Sequence, residues 1–355
     1  MKKALCLSFY PPEAPSVRHR ISCYRQYWAE QQIELVQWSL LSSSVYQNRR
    51  RFGLGATALK FFGLLSGTLA LVFKLPLVGQ FDYVILHREI FPLGGGAFDR
   101  LFIRLARRAI FDVDDAIWLK MPLSVDQRSR FWDPGRFKKT LPMFDSVVAG
   151  NHLLAEYAQR YNSAVEVIPT SYDDLGGRQE KSALAKPVIV WVGNVGNSEY
   201  LQLVAHPLKI LAKNYDFVFR IIGSLEIFDL DLPGVNVEAV LWGAETEAEL
   251  LRSADIGIMP LYDRDYERGK CAFKIIQYFS AGLPVVASPI GINAEVVTEG
   301  ENGYLANDES GWVKALSDLL EDQQLRQRLG RAAYEKYQNE FTREINAERW
   351  LKVLQ

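Results

Sequence analysis

The stretch Gly269-Lys270-Cys271-Ala272-Phe273-Lys274-Ile275-Ile276-Gln277-Tyr278-Phe279-Ser280-Ala281-Gly282-Leu283-Pro284-Val285-Val286-Ala287-Ser288 carries the densest chemistry in the chain. It reads as a glycine-bearing loop, a helix, a tight turn at Gly282-Leu283-Pro284 and a buried strand. A loop running into a helix N-terminus presents backbone N–H groups and the positive end of the helix dipole, which suits an anion. Arg268, Lys270 and Lys274 add positive charge at that point. Together they can hold a pyrophosphate and stabilise it as it departs. Taken singly, each lysine is equally well explained as solvated surface charge. Their clustering at a strand-to-helix loop is what points to binding.

A second group lies in the first half. Phe111-Asp112-Val113-Asp114-Asp115 brings a predicted strand to a carboxylate-rich end. Asp114 or Asp115 there can orient a hydroxyl or act as a base, with helix capping as the structural alternative for Asp115. His87, Arg88 and Glu89 end the preceding strand on the same rim. Arg18 and Arg20 follow the proline-rich loop after the first strand and can bind an acceptor phosphate. Surface or capping roles account for each of these equally well.

Other chemistries find little support. Asp229-Leu230-Asp231 and Asp263-Arg264-Asp265 have the aspartate spacing of a divalent-metal site for a diphosphate, but three-residue matches arise readily by chance, and no metal is expected. The histidines at 19, 87, 152 and 206 have no zinc-ligand spacing. The chain lacks a nucleophile elbow, a Walker A loop and a GxGxxG fingerprint, and Gly94-Gly95-Gly96 reads as a turn. Cys6, Cys23 and Cys271 are scattered and odd in number, which suits a reducing cytoplasm.

Short apolar runs alternate with helical patterns, the signature of α/β architecture with parallel sheets. In the first half the strand candidates are 4–9, 33–38, 83–87, 109–113, 146–149 and 165–168, with helices such as 17–31 and 97–107 between them. Around 170–186 the pattern lapses into Ser, Asp, Gly and Lys, a linker by composition. A second series follows at 188–192, 217–222, 235–240, 256–260 and 284–287, with helices at 198–212, 246–253 and 273–281. A length of 355 residues fits two domains of this kind. Two doubly wound sheets in tandem predict a central cleft lined by the carboxyl ends of the strands.

The formal net charge of −1 hides an asymmetry: residues 1–170 hold 22 Lys and Arg against 14 Asp and Glu, and residues 171–355 hold 19 against 28. A basic first half suits an anionic surface or a lipid phosphate, unless it is chance surface composition. The segment 54–79 is largely apolar and follows Arg49-Arg50-Arg51. Lys60 and Lys74 leave only 13 residues between them, short of the ~20 a bilayer span needs. An interfacial helix and a crossover helix packed on the sheet fit it equally well. The opening residues 1–9 resemble a signal n-region, but Tyr10-Pro11-Pro12-Glu13 interrupts them early, and they are expected to form the first strand.

The stretch 269–288 resembles the donor-binding segment of the family-4, GT-B-fold glycosyltransferases. Asp255-Ile256-Gly257-Ile258-Met259-Pro260-Leu261, Glu299-Gly300-Glu301-Asn302-Gly303-Tyr304-Leu305, Val190-Trp191-Val192-Gly193-Asn194 and Val167-Ile168-Pro169-Thr170-Ser171-Tyr172-Asp173 extend the likeness, which is strong over about 165–310. The resemblance implies α/β GT-B architecture, two Rossmann-like domains. An acceptor-side domain is expected over 1–170, a nucleotide-sugar domain over 171–340, and a C-terminal helix over 341–355 that crosses back to the first.

The implied donor site comprises Gly193, Asn194, Arg268, Gly269, Lys270, Lys274 and Gln277. The implied acceptor side comprises Arg18, Arg20 and Arg88, with Asp114, Asp115 and His87 as catalytic candidates. The implied reaction moves a sugar from a nucleoside diphosphate sugar, UDP- or GDP-linked, to a hydroxyl of a glycan or lipid-linked acceptor, with retention. No cofactor is implied, and nucleic acid is not an expected partner. An anionic membrane surface is one, through peripheral attachment at the inner face. Two departures stand out: where the family has two glutamates eight positions apart, this chain has Gly269 and Gln277, leaving Asp263, Asp265 or Glu267 to contact the sugar. Asn194 and Asn197 occupy the region where relatives place basic side chains. A catalytically silent partner subunit and a sugar-nucleotide epimerase of the same fold are the rival readings.

Overall fold

The computed structural model describes residues 1–355 apart from 49–53, 92–95, 120–132, 134, 178–185 and 224–229, and apart from the side chains at 54–56 and 195. Arg49-Arg50-Arg51, Gly94-Gly95, Asp229 and much of the expected linker therefore lie outside the described residues. The chain divides into two compact units, Met1–Ser171 with Arg343–Gln355, and Tyr172–Thr342.

The first unit is built on β1 (Lys2–Ser8), β2 (Ile33–Ser39), β3 (Tyr83–His87), β4 (Ala109–Val113), β5 (Ser146–Ala149) and β6 (Val165–Val167). They form one parallel sheet in the order β2-β1-β3-β4-β5-β6. β3, β4 and β5 are buried along their whole length, as strands covered on both faces must be. The strand order reverses between β1 and β3, and a crevice opens at the carboxyl ends of such a pair.

The expected single helix over 17–31 is two, Pro15–Arg20 and Arg25–Glu30, joined by a 3₁₀ turn at Ser22–Tyr24. Ile21, at φ −131°, breaks the helical path. Trp350 on the helix Arg343–Val353 is fully buried beside Trp28, with ring centroids 5.7 Å apart. Asn346 on the same helix donates to Ser171 Oγ at 2.9 Å.

The second unit contains β7 (Val188–Val192), β8 (Val218–Gly223), β9 (Asn236–Leu241), β10 (Ile256–Met259), β11 (Val285–Ala287) and β12 (Gly303–Leu305). All are parallel, in the order β12-β11-β10-β7-β8-β9, with the reversal between β7 and β10. β12 was not among the expected strands. It pairs tightly with β11, and a Cβ at Gly303 would sit 2.3 Å from the Val285 carbonyl oxygen, so glycine is required there.

One expectation is corrected. The apolar segment is not limited to the residues between the two lysines. A 21-residue helix, Leu54–Lys74, continues through a 3₁₀ turn, Leu75–Gln80, and Thr57–Gln80 is long and apolar enough to cross a membrane by length and composition. At about 100° per residue, Lys60 and Lys74 fall on the side that carries Gly63, Gly67 and buried Leu71. The lysines therefore leave the opposite side uninterrupted.

Candidate functional site

Side chains from three elements of the first unit meet behind the ends of β1, β3 and β4. Arg20, at the end of its helix, is fully buried and paired with fully buried Asp112 of β4 at 2.5 Å. Its second Nη donates to the Ile168 carbonyl at 2.5 Å. His87, the last residue of β3, places Nδ1 2.7 Å from the other Asp112 oxygen. The opposite ring nitrogen, Nε2, is buried without a hydrogen-bond partner. Asp112 thus neutralises a buried guanidinium and orients an imidazole, an arrangement that leaves one imidazole nitrogen for a ligand hydroxyl.

The next residue along β3 forms a separate clamp. Arg88 has φ +59°, a left-handed backbone that costs a non-glycine residue about 1 kcal/mol. That turn aims its guanidinium at Asp114 (2.5 Å) and Asp115 (2.7 Å). Burial pushes the Asp114 carboxyl up, but the Arg88 guanidinium beside it and His87 more than offset this and hold it well below the usual carboxylate range. Asp114 is therefore ionised and weakly basic, better suited to fixing Arg88 than to taking a proton.

The second unit gathers its groups at the carboxyl ends of β7 and β10. Gly193 follows β7, and a Cβ there would lie 2.1 Å from the buried indole of Trp191. That ring carries the Lys274 ammonium 5.7 Å from its centroid. Lys270 sits 5.0 Å from the Tyr266 ring and 5.8 Å from the Tyr200 ring. The aromatic faces position both cations on the loop and first turn of the helix Phe273–Ser280. The helix Phe273–Ser280 starts from Ala272, which has φ +50° and provides no side-chain cap. Asn194 adopts extended backbone at the start of the 3₁₀ turn Val195–Leu201, and its carbonyl accepts from Asn197 N–H at 2.9 Å.

Several candidates take places the sequence did not suggest. Arg20 was expected to meet an acceptor phosphate; it is sealed in the interior with its charge spent on Asp112, while Arg18 stays half-buried on the same helix. Gln277 was expected in the donor site; it is buried, and its amide donates to Glu247 at 3.1 Å. Arg268 is exposed and bonded to Asp263 (2.7 Å) and Asp265 (3.4 Å), so its charge is offset locally. Gly269 uses its N–H on the Tyr266 carbonyl.

Three residues escaped sequence reasoning. Asp112 had a signal, as the single charge inside an otherwise apolar strand. Glu247 had none: it is buried and accepts from Tyr172 OH (2.8 Å), Trp242 Nε1 (2.8 Å) and Gln277. Trp191 read as core, and it is also the platform under Lys274.

Residues 186–322, within the second unit, match the family model for glycosyl transferases group 1. A D-inositol 3-phosphate glycosyltransferase of Paenarthrobacter aurescens is 28% identical over 160 residues, 41% of this chain and 38% of that enzyme. The chain spans well under half the length of such curated relatives. Solved structures align over nearly the whole chain. Sucrose-phosphate synthase of Thermosynechococcus elongatus superimposes with a TM-score of 0.73 at 14% identity, covering 99% of this chain and 98% of that one. Anabaena HepE, solved with UDP and glucose, gives 0.69 at 14% identity, covering 100% and 99%. The chain has the GT-B fold, and residues 186–322 of its second unit are similar to the glycosyl transferases group 1.

Proposed function

We propose that the protein transfers a glycosyl group from a nucleoside diphosphate sugar to a hydroxyl of a glycan or lipid-linked acceptor, with retention. The observation that carries this reading is the pair Lys270 and Lys274, held over aromatic rings where β7 and β10 diverge, inside the segment that matches the family. Two ammonium groups there can bind a diphosphate and stabilise the charge that develops as it leaves. In the first unit His87, oriented by Asp112, can contact a reacting hydroxyl through Nε2, and Arg88 adds positive charge fixed by two carboxylates. Retention is read from the family resemblance and from the lack of an evident enzymic nucleophile. Catalysis then rests on positioning and leaving-group stabilisation. The scattered cysteines suit a cytoplasmic setting.

Calorimetry with UDP- and GDP-sugars, followed by a transfer assay with the ligand that binds, tests the reading directly. Lys274→Ala is expected to weaken nucleotide-diphosphate binding by ~1–3 kcal/mol, the range for charge-assisted contacts. Arg268→Ala should weaken binding far less than Lys274→Ala, because its exposed guanidinium already has carboxylate partners. Equal affinities for wild type and Lys274→Ala would remove the donor site from this loop.

Transfer should also persist in chelator. Asp263 and Asp265 are engaged by Arg268, so that pair is not set up as a ligand pair; of the other, Asp231 lies 4.0 Å from Lys209 and Asp229 lies outside the described residues. Loss of transfer in EDTA, restored by Mg²⁺ or Mn²⁺, would overturn that expectation.

The silent-subunit reading draws on one observation, the commitment of the Gln277 amide to Glu247 where relatives place a glutamate. Slow hydrolysis of a bound nucleotide sugar by the purified chain would exclude it.

A further inference from the structure

We infer that the outer side of the helix Leu54–Lys74, together with Leu101 and Leu105 of the helix Ala97–Leu105, inserts into the headgroup–acyl boundary of an anionic phospholipid bilayer. The long helix lies in the membrane plane and does not cross it. Phe61 (63% exposed), Phe62 (64%), Leu65 (48%), Leu69 (50%), Val72 (42%) and Phe73 (80%) face solvent. At about 100° per residue they occupy a single arc of about 120°, and no charged residue falls within it. A contiguous apolar stripe of this kind marks an interaction surface.

The opposite side fixes the helix to the first unit. A Cβ at Gly67 would lie 1.9 Å from the Leu40 carbonyl oxygen, and one at Gly63 would lie 2.6 Å from Val45 Cγ2. Leu71 is buried on the same side. Gly67 against the Leu40 backbone and Gly63 against the Val45 side chain dock this side of the helix, and spanning a bilayer would require stripping that contact away.

The patch continues onto a second element. Leu101 (45% exposed) and Leu105 (46%) lie beside it, and Thr68, Phe98, Arg100, Leu101 and Arg104 line one shared cavity. Arg104 and Arg107 are exposed at this edge, with Arg107 3.6 Å from Asp82. An apolar stripe bordered by arginines matches a bilayer whose acyl chains accept the phenyl rings and whose phosphates meet the guanidinium groups. The inference does not depend on the glycosyl-transfer reading.

Flotation of the full chain with phosphatidylcholine vesicles, with and without phosphatidylglycerol, provides the test. Binding should require phosphatidylglycerol and fall with added salt. Phe62→Ser with Phe73→Ser should lower partitioning at least about tenfold, since two phenyl rings leave the lipid. Both positions are solvent-exposed, so thermal unfolding and nucleotide affinity should match wild type. Arg104→Gln should weaken binding and flatten its salt dependence. A dye on Phe73→Cys should report a less polar setting on vesicles. Three results would overturn the proposal: no binding to phosphatidylglycerol vesicles at low salt, a concentration-dependent dimer in sedimentation velocity that the double serine variant abolishes, or resistance to alkaline extraction from membranes.

Discussion

Asp112→Asn is expected to destabilise the first unit by about 3–5 kcal/mol, the cost of stripping one partner from a buried ion pair. The amide has the same size as the carboxylate, so packing is unchanged and the electrostatic loss is isolated. Arg20 is left in the interior with only the Ile168 carbonyl, and His87 loses the acceptor that fixes its ring. For a unit of this size the loss corresponds to a fall of roughly 10 °C in its unfolding midpoint. Asp115→Asn, on a partly exposed pair with Arg88, should cost under about 1 kcal/mol. Differential scanning calorimetry resolving the two units checks both. A shift for Asp112→Asn no larger than that for Asp115→Asn would mean that Arg20 reaches water in solution.

Glu247→Ala should produce the second largest loss, in the other unit. Three donors converge on this buried carboxylate, and its removal takes the shared acceptor from the buried Tyr172 hydroxyl and from the Gln277 amide, which are left with the bond between them. Trp242 is partly exposed and can recover a bond from water. A cost of about 2–4 kcal/mol follows for the two buried donors. Because Gln277 lies on the helix that begins beside Lys274, nucleotide affinity should fall as well. Glu247→Gln retains one acceptor oxygen and should fall between wild type and alanine. If alanine leaves both the denaturation midpoint and nucleotide affinity unchanged, the network contributes nothing to the donor site.

Both predictions concern partners far apart in sequence, which marks where sequence reading stops. Four strands, β3, β4, β5 and β7, have the expected boundaries, because a parallel strand covered on both faces must be apolar throughout and turn residues delimit it. β12 was hidden because three residues, one of them glycine, form no recognisable run; its pairing with β11 creates the strand. The candidate donor loop was legible from its glycine, its lysines and the helix that follows. How the structure holds its charges was not. Arg268 faces aspartates three and five residues away, whereas Lys274 lies over an indole 83 positions earlier in the chain.

Apolar periodicity in the sequence thus determined the two α/β domains, the family resemblance implied the GT-B architecture, and local chemistry marked a candidate loop for an anion. Long-range packing decided the rest. Arg20 and Asp112, 92 residues apart, are ordinary polar residues until a shared sheet buries them against each other. Gln277 reads from the sequence as a donor-site amide, and Glu247, 30 positions away, accepts from that amide in the structure. The lysines at 60 and 74 seemed to bound an apolar segment until helix geometry put them on one side and the phenylalanines on another. Burial is a property of the assembled sheet and its covering helices, and in each case it sets whether a charge is spent inside the protein or left for a ligand.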